Sequence, residues 1–220
     1  MDRPAGLKLP LERGVGAAIP EPDRRDGILA AIGHTPVVAL RRVFPRASFS
    51  LFAKLEFLNP GGSIKDRPAL TILEQALASG EIGPGSVVIE SSSGNMAIGL
   101  AQVCRLYGLR LICVLDAKSM SQNLRVLQAY GAEIDVVEEP DPETGEFLQA
   151  RLHRVHELCA EIPGAFWPNQ YANRGNPLAH YRTTMREVVE ELGEVDYIFA
   201  ATSTCGTIRG FGEFIRDHGG

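Results

Sequence analysis

An α/β fold built on parallel strands is what this sequence predicts, and three observations carry the prediction. Short apolar runs such as "SVVIE" (86–90) and "LRLICVLD" (109–116) alternate with amphipathic stretches at helical spacing. The joints between them are short and several close on glycine, as at Gly108 and Gly131. Strand, helix, strand, helix in that order makes βαβ units, whose strands pair in parallel.

The elements follow in order. Residues 1–26 are rich in Pro, Gly and charge, lack the continuous apolar core of a signal peptide, and read as a flexible tail. "SLFAKLEFL" (50–58) has β-prone and aromatic residues in partial alternation and reads as a strand. "SIKDRPALTILEQALASGE" (63–81) is a helix that Ser63 can cap, with Asp66 suited to its first turn and Gly80 to its end. "SVVIE" is a buried strand, "NMAIGLAQVCRLYG" (95–108) a helix, and "LRLICVLD" the next strand. "MSQNLRVLQAYG" (120–131) and "AEIDVVEE" (132–139) repeat the helix–strand step, and "FLQARLHRVHELCAEI" (147–162) is an amphipathic helix. The helix "HYRTTMREVVEELG" (180–193), the strand "VDYIFAA" (195–201) and a last helix from Gly206 complete the pattern. A further strand is the expected next element and none follows, so the chain is expected to stop within a domain.

Composition excludes several classes. Of 220 residues, 45% are hydrophobic and 22% charged, enough for a packed core. The formal net charge of −5, with no Lys/Arg cluster among aromatics, argues against nucleic acid as a partner. The most apolar stretch is broken by Gln102, Arg105 and Arg110, so it reads as helix, turn and strand and not as a membrane span. Cys104, Cys113, Cys159 and Cys205 show no paired spacing, the first two sit among apolar neighbours, and a reducing cytoplasm fits them. His153 and His156 lie i, i+3 on a helix with no third ligand spaced to join them, so no metal is expected and a solvated face is the reading. The acidic run "EEPDPETGE" reads as an exposed loop.

Three loops stand apart: "NPGGSIKD" (59–66), "ESSSGNM" (90–96) and "ATSTCGT" (201–207). Each follows an apolar run, opens a helix and is built of small hydroxyl, Gly or Asn residues, where ligands bind in open parallel sheets. An ordinary capping turn explains any one of them. Three together, one holding a lysine where cations are disfavoured, point to an anion-binding site. Neither a Walker loop nor a GxGxxG fingerprint is present. Lys65 at a helix start is placed to have a lowered pKa, through desolvation or local positive potential, and so to serve as an amine nucleophile. With an anion loop and donors for a carboxylate, that constellation fits pyridoxal phosphate.

"NPGGSIKDRPA", "ESSSGNMAIGLA" and "NQYANRGNPLAHYRTT" resemble the cysteine synthase group of pyridoxal-phosphate enzymes, of the tryptophan synthase β-subunit fold. The resemblance implies fold type II, with a larger cofactor domain at 27–69 and 170–220 and a smaller substrate-binding domain at 70–169. It makes Lys65 the Schiff-base lysine. Asn95 would contact the cofactor ring and Ser203, Thr204, Cys205, Gly206 and Thr207 its phosphate. The substrate would lie on Ser92, Ser93, Gly94, Asn95, Met96 and Gln170. A homodimer acting on small amino acids is implied for the complete form. One branch fits more closely, the synthases that open 2,3-diaminopropionate formation for siderophores by joining O-phospho-L-serine to L-glutamate. Met96, where ordinary cysteine synthases have threonine, and Ser203 and Cys205, where they have glycine, support that branch. A cysteine or cystathionine synthase and an inactive truncated homologue are the alternatives.

Overall fold

The computed structural model describes residues 27–119 and 121–218. The tail assigned to residues 1–26 lies outside them.

Three parallel strands form the central sheet in the order β3 (Val87–Ser91), β4 (Arg110–Asp116) and β5 (Glu133–Val137). Helices α2 (Asn95–Tyr107) and α3 (Ser121–Ala129) supply the two crossovers. Strand alternation then divides the core in two. Val88, Leu111, Cys113 and Leu115 pack with α1 (Asp66–Ala78), α2 and α3 in the larger cluster. Val87, Ile89, Ile112 and Val114 point the other way and meet Val155 and Leu158 of α4 (Phe147–Glu161). Both faces are covered, as a parallel sheet requires.

The helix α1 begins at Asp66, immediately after Lys65, so the lysine does stand at a helix start. Ser63 is not the residue just outside the helix; its hydroxyl instead accepts the Lys65 N–H at 3.1 Å. Close packing fixes this end of α1. A Cβ on Gly99 of α2 would stand 3.0 Å from the Ala69 Cβ and 3.1 Å from the Lys65 carbonyl oxygen, so any larger residue would have to push the two helices slightly apart.

Two strand expectations differ from the fold. "SLFAKLEFL" is extended only at β2 (Phe52–Lys54), which pairs antiparallel with β1 (Val37–Ala39), and Glu56–Leu58 turn into a 3-10 helix. "VDYIFAA" forms no strand. Ile198 and Ala200 pack on Met185, Phe211 and Phe214, while Tyr197 and Phe199 face out at 82% and 88% exposure. The period-2 pattern is real, but no strand among the described residues lies alongside to accept its backbone bonds. One segment joins the sheet instead: Phe166 bridges Val88 in parallel, donating to the Val87 carbonyl at 2.8 Å.

The helix expected from His180 starts earlier. It runs as α5 (Gly175–Ala179), a π-helical segment at His180–Met185 and α6 (Arg186–Leu192). The closing helix is α7 (Gly206–His218), packed on α5 and the π segment. All four cysteines are free, with Cys104 and Cys113 buried as expected. In the acidic run, Asp141 is buried rather than exposed, its carboxylate accepting the N–H and hydroxyl of Thr144. Among the described residues, no helix is long and apolar enough to cross a membrane.

Candidate active site

The other charged and polar residues of the Lys65 motif tie the start of α1 to neighbouring segments. The Arg67 side chain, 1% exposed, donates to both oxygens of Glu187 at 2.6 and 2.8 Å and to both oxygens of Glu56 at 2.7 and 2.8 Å. Lys54 adds a 2.8 Å ion pair to Glu187. Asn59 donates to Glu56 and accepts the Gly33 N–H at 2.8 Å, and Asp66 accepts the Gly61 N–H. Burial works against charge here; hydrogen bonds outweigh it among Arg67, Glu56 and Glu187, whereas at Asp66 burial wins and raises the carboxyl. Glu187 is held down to about 2, Glu56 is lowered, and Arg67 is raised above its ordinary value. The motif therefore sets its lysine at an anchored helix start.

Across from it lies the 203–207 loop. The Lys65 Nζ donates to Thr204 Oγ1 at 3.1 Å, a contact spanning 139 residues of sequence. Burial lowers the lysine's pKa. Thr204 Oγ1 also accepts Asn176 Nδ2 at 2.9 Å, which leaves its own O–H free to donate. Asn176 is 2% exposed, and its Nδ2 donates a second bond to the Gln170 carbonyl at 2.8 Å. A Cβ on Gly206 would overlap the Asn176 amide, so the loop closes here only because residue 206 is glycine. Cys205 takes a positive φ of 59°, a conformation suited to the glycine its position usually holds in the cysteine synthase group. Ser203 and Cys205 are exposed, and Thr204 and Thr207 half-buried.

His180, buried in the π segment, bonds Thr207 Oγ1 at 3.3 Å and Thr184 Oγ1 at 3.1 Å. Burial, then the charges of Lys65 and Arg67, push its pKa down to about 3, so the ring is neutral. A neutral imidazole has one donor and one acceptor nitrogen, so one threonine hydroxyl donates to it and the other accepts.

The third loop leaves the end of β3. Ser92, Ser93 and Gly94 are half-buried, Asn95 is exposed at the first position of α2, and Asn123 Nδ2 ties the Ser93 carbonyl at 2.8 Å. Met96 points into the main core. Buried Gln170 is joined to this side through Glu90, which accepts its N–H at 3.3 Å. Hydrogen bonds thus run from Lys65 through Thr204, Asn176 and Gln170 to Glu90, and the 92–95 loop follows directly in sequence.

Glu90, Asn176 and His180 are absent from the sequence-based site. Asn176, His180 and Thr184 fall at i, i+4 and i+8, a polar stripe on a helix face that is buried, and that spacing was the available signal. No group of three metal-ligating side chains occurs among the described residues. His153 is 3.4 Å from Asp141, and His156, although exposed, packs edge-on against Trp167.

Comparison with known proteins bears on this arrangement. Residues 28–220 match the family described as pyridoxal-phosphate dependent enzyme. An O-ureido-L-serine-bound lysine-to-alanine mutant of O-ureido-L-serine synthase is 33% identical with a TM-score of 0.78, over 86% of this chain and 58% of that one. A hydrogen sulfide-producing enzyme from Fusobacterium nucleatum is 33% identical with a TM-score of 0.78, over 87% of this chain and 61% of that one. O-ureido-L-serine synthase itself matches at 34% and 0.76, over 86% and 58%. The chain therefore spans about three-fifths of the length of these relatives. With a family match over nearly all the described residues, and a half-buried lysine facing a hydroxyl-lined helix start, the chain belongs to the pyridoxal-phosphate dependent enzymes and has their type II fold.

Proposed function

We propose that this chain carries the lysine side of a pyridoxal-phosphate-dependent β-replacement enzyme joining O-phospho-L-serine to L-glutamate, giving N-(2-amino-2-carboxyethyl)-L-glutamate and phosphate. The observation that carries the reading is Lys65 itself: a half-buried amine with a lowered pKa, 3.1 Å from the threonine hydroxyl of a helix-start loop. The residues present fit the cofactor. Lys65 suits its aldehyde, and the Ser203, Thr204 and Thr207 hydroxyls at the start of α7 suit its phosphate.

When bound, the cofactor supplies an electron sink that makes the substrate Cα–H acidic. Lys65 Nζ takes that proton and later returns it to Cα. Ser92, Ser93, Gly94, Asn95 and Gln170 hold the substrate carboxylate, and Met96 acts from beneath, through the position of the loop it anchors. Phosphate leaves Cβ with the bonding electrons, and the glutamate amine forms the new N–Cβ bond and gives up a proton. The sequence around Met96, Cys205 and "NQYAN" supports glutamate as acceptor. A second reading is a sulfur nucleophile at the same carbon; the solved relative described as hydrogen sulfide-producing releases sulfide, which is that exchange run in the opposite direction.

Borohydride reduction in the presence of pyridoxal phosphate is expected to fix the cofactor on Lys65, and Lys65→Ala to abolish turnover. Because the pKa of Lys65 is lowered, capture should reach its half-maximal rate below pH 10.5, the ordinary lysine value. Cofactor mapped to Lys54 or Lys118 overturns the site. Phosphate release from phosphoserine should require glutamate. Release with sulfide and not glutamate selects the second reading, and no release with either marks an inactive homologue.

A further inference from the structure

The buried carboxylate of Glu90 has no part in the chemistry above, yet it stands where three segments meet. Its Oε1 accepts the backbone N–H of Ser91 at 2.9 Å and the indole N–H of Trp167 at 3.3 Å. Its Oε2 accepts the backbone N–H of Gln170 at 3.3 Å. A fully buried acid is costly, and an ordinary sheet end does not call for one. What this acid does is join β3, just before the Ser92–Asn95 loop, to the 167–170 segment.

The other side of that segment completes the picture. The Gln170 carbonyl is taken by Asn176, whose amide also holds Thr204 against Lys65. Asn169 just before it sits at a positive φ of 45°, which asparagine tolerates, and its own Oδ1 accepts the Ala172 N–H at 3.2 Å, so the turn that presents Gln170 is closed locally. Gln170 is thus gripped at its N–H by Glu90 and at its carbonyl by Asn176.

We propose that ionised Glu90 is a positioning residue for the substrate side of the site, holding Gln170 in register between the Ser92–Asn95 loop and the Lys65–Thr204 pair. The role of Gln170 toward substrate rests on the function proposed above; the grip itself does not. Two acidic groups face Glu90 from packed elements, the Cys113 thiol on β4 and the Cys159 thiol on α4. Burial first, then Glu90, raises both thiols, Cys113 to about 12, so neither ionises near neutrality. Glu90 does titrate there, because burial raises it to about 7 against the three N–H donors. Protonation puts an O–H where an N–H must be accepted, and the grip loosens as pH falls through that value.

Glu90→Gln tests this in the full chain. Its amide oxygen can still serve Ser91 and Trp167, but its NH2 then faces the Gln170 N–H, donor against donor. Exchange of the Gln170 amide, followed by mass spectrometry or NMR, should speed up at least tenfold. KM for the amino-acid substrate should rise about tenfold with kcat within twofold, and borohydride capture at Lys65 should be unchanged. In the wild type, Gln170 exchange corrected for its intrinsic pH dependence should rise as pH falls through about 7, and should be flat in the variant. Should the variant fail to fold, the wild-type exchange profile decides alone. Unchanged Gln170 exchange in the variant, or a wild-type profile flat across neutrality, overturns the proposal. Absent turnover with the exchange effects intact overturns the proposed reaction and leaves the grip established.

Discussion

At residue 205 the backbone is left-handed and the side chain is a cysteine, with φ at 59°. A residue other than glycine spends about 1–2 kcal/mol in that conformation. Glycine would relieve it but loses about 0.5–1 kcal/mol more on folding than a residue with a Cβ. Cys205→Gly is therefore expected to stabilise the protein by roughly 0.5 kcal/mol, measured by urea unfolding at constant m-value. Loss of stability would mean that the thiol makes a contact worth more than the strain. The outer site was legible at this scale because local pattern suffices: Lys65 is anomalous among its immediate neighbours, and hydroxyl-rich loops opening helices announce themselves. The inner site was not. Glu90 and Gln170 are 80 residues apart and Lys65 and Thr204 are 139 apart, so the bonds that give Glu90 and Asn176 their roles exist only after packing. A lone Glu or Asn in sequence carries no mark of burial.

Between elements, one ionic cluster decides how α1 sits. Arg67 of α1 clamps Glu187 of α6 and Glu56 of the 3-10 turn, and Lys54 of β2 reaches the same Glu187. Breaking a buried pair by removing one charge leaves the partner desolvated and unpaired, which costs about 3–5 kcal/mol. Glu187→Gln should therefore lower stability by about 3 kcal/mol, read from denaturant midpoints. The pH sign follows from a carboxylate whose pKa in the folded protein, about 2, lies below its ordinary 4.5. Such a group stabilises fully above pH 4.5 and loses that contribution as pH falls toward 2. The variant's stability should accordingly fall less than the wild type's between those values; parallel curves would show that Glu187 carries no linked proton. At this scale the helices were legible because their period is local, down to Gly108 as the left-handed residue closing α2. The π segment was not, since helical spacing alone does not distinguish it from an α-helix.

For the molecule as a whole, the unresolved consequence of the fold is the 197–200 segment. In a parallel sheet the strands are covered on both faces. Here Ile198 and Ala200 are covered by Met185, Phe211 and Phe214, while Tyr197 and Phe199 stand 82% and 88% exposed. Their neighbour helix α7 adds Ile208 and Ile215, both exposed and seven residues apart, hence on one helix face. Two exposed aromatic side chains outside the sheet, beside an exposed apolar helix face, form the kind of surface that recruits other chains. The 220-residue chain should therefore bind a hydrophobic dye in its native state and self-associate as concentration rises. Tyr197→Ser with Phe199→Ser should reduce both, and should change the unfolding free energy by no more than about 0.5 kcal/mol per site, because neither side chain is packed. Cofactor capture at Lys65 should survive the double substitution, since the site is held by Thr204, Asn176 and Arg67 and not by the outward face. Dye fluorescence and light scattering across a concentration series measure the effect directly. A wild-type chain that binds no dye and stays monomeric, or a double variant that associates as strongly as the wild type, would show that the 197–200 segment is not the sticky surface.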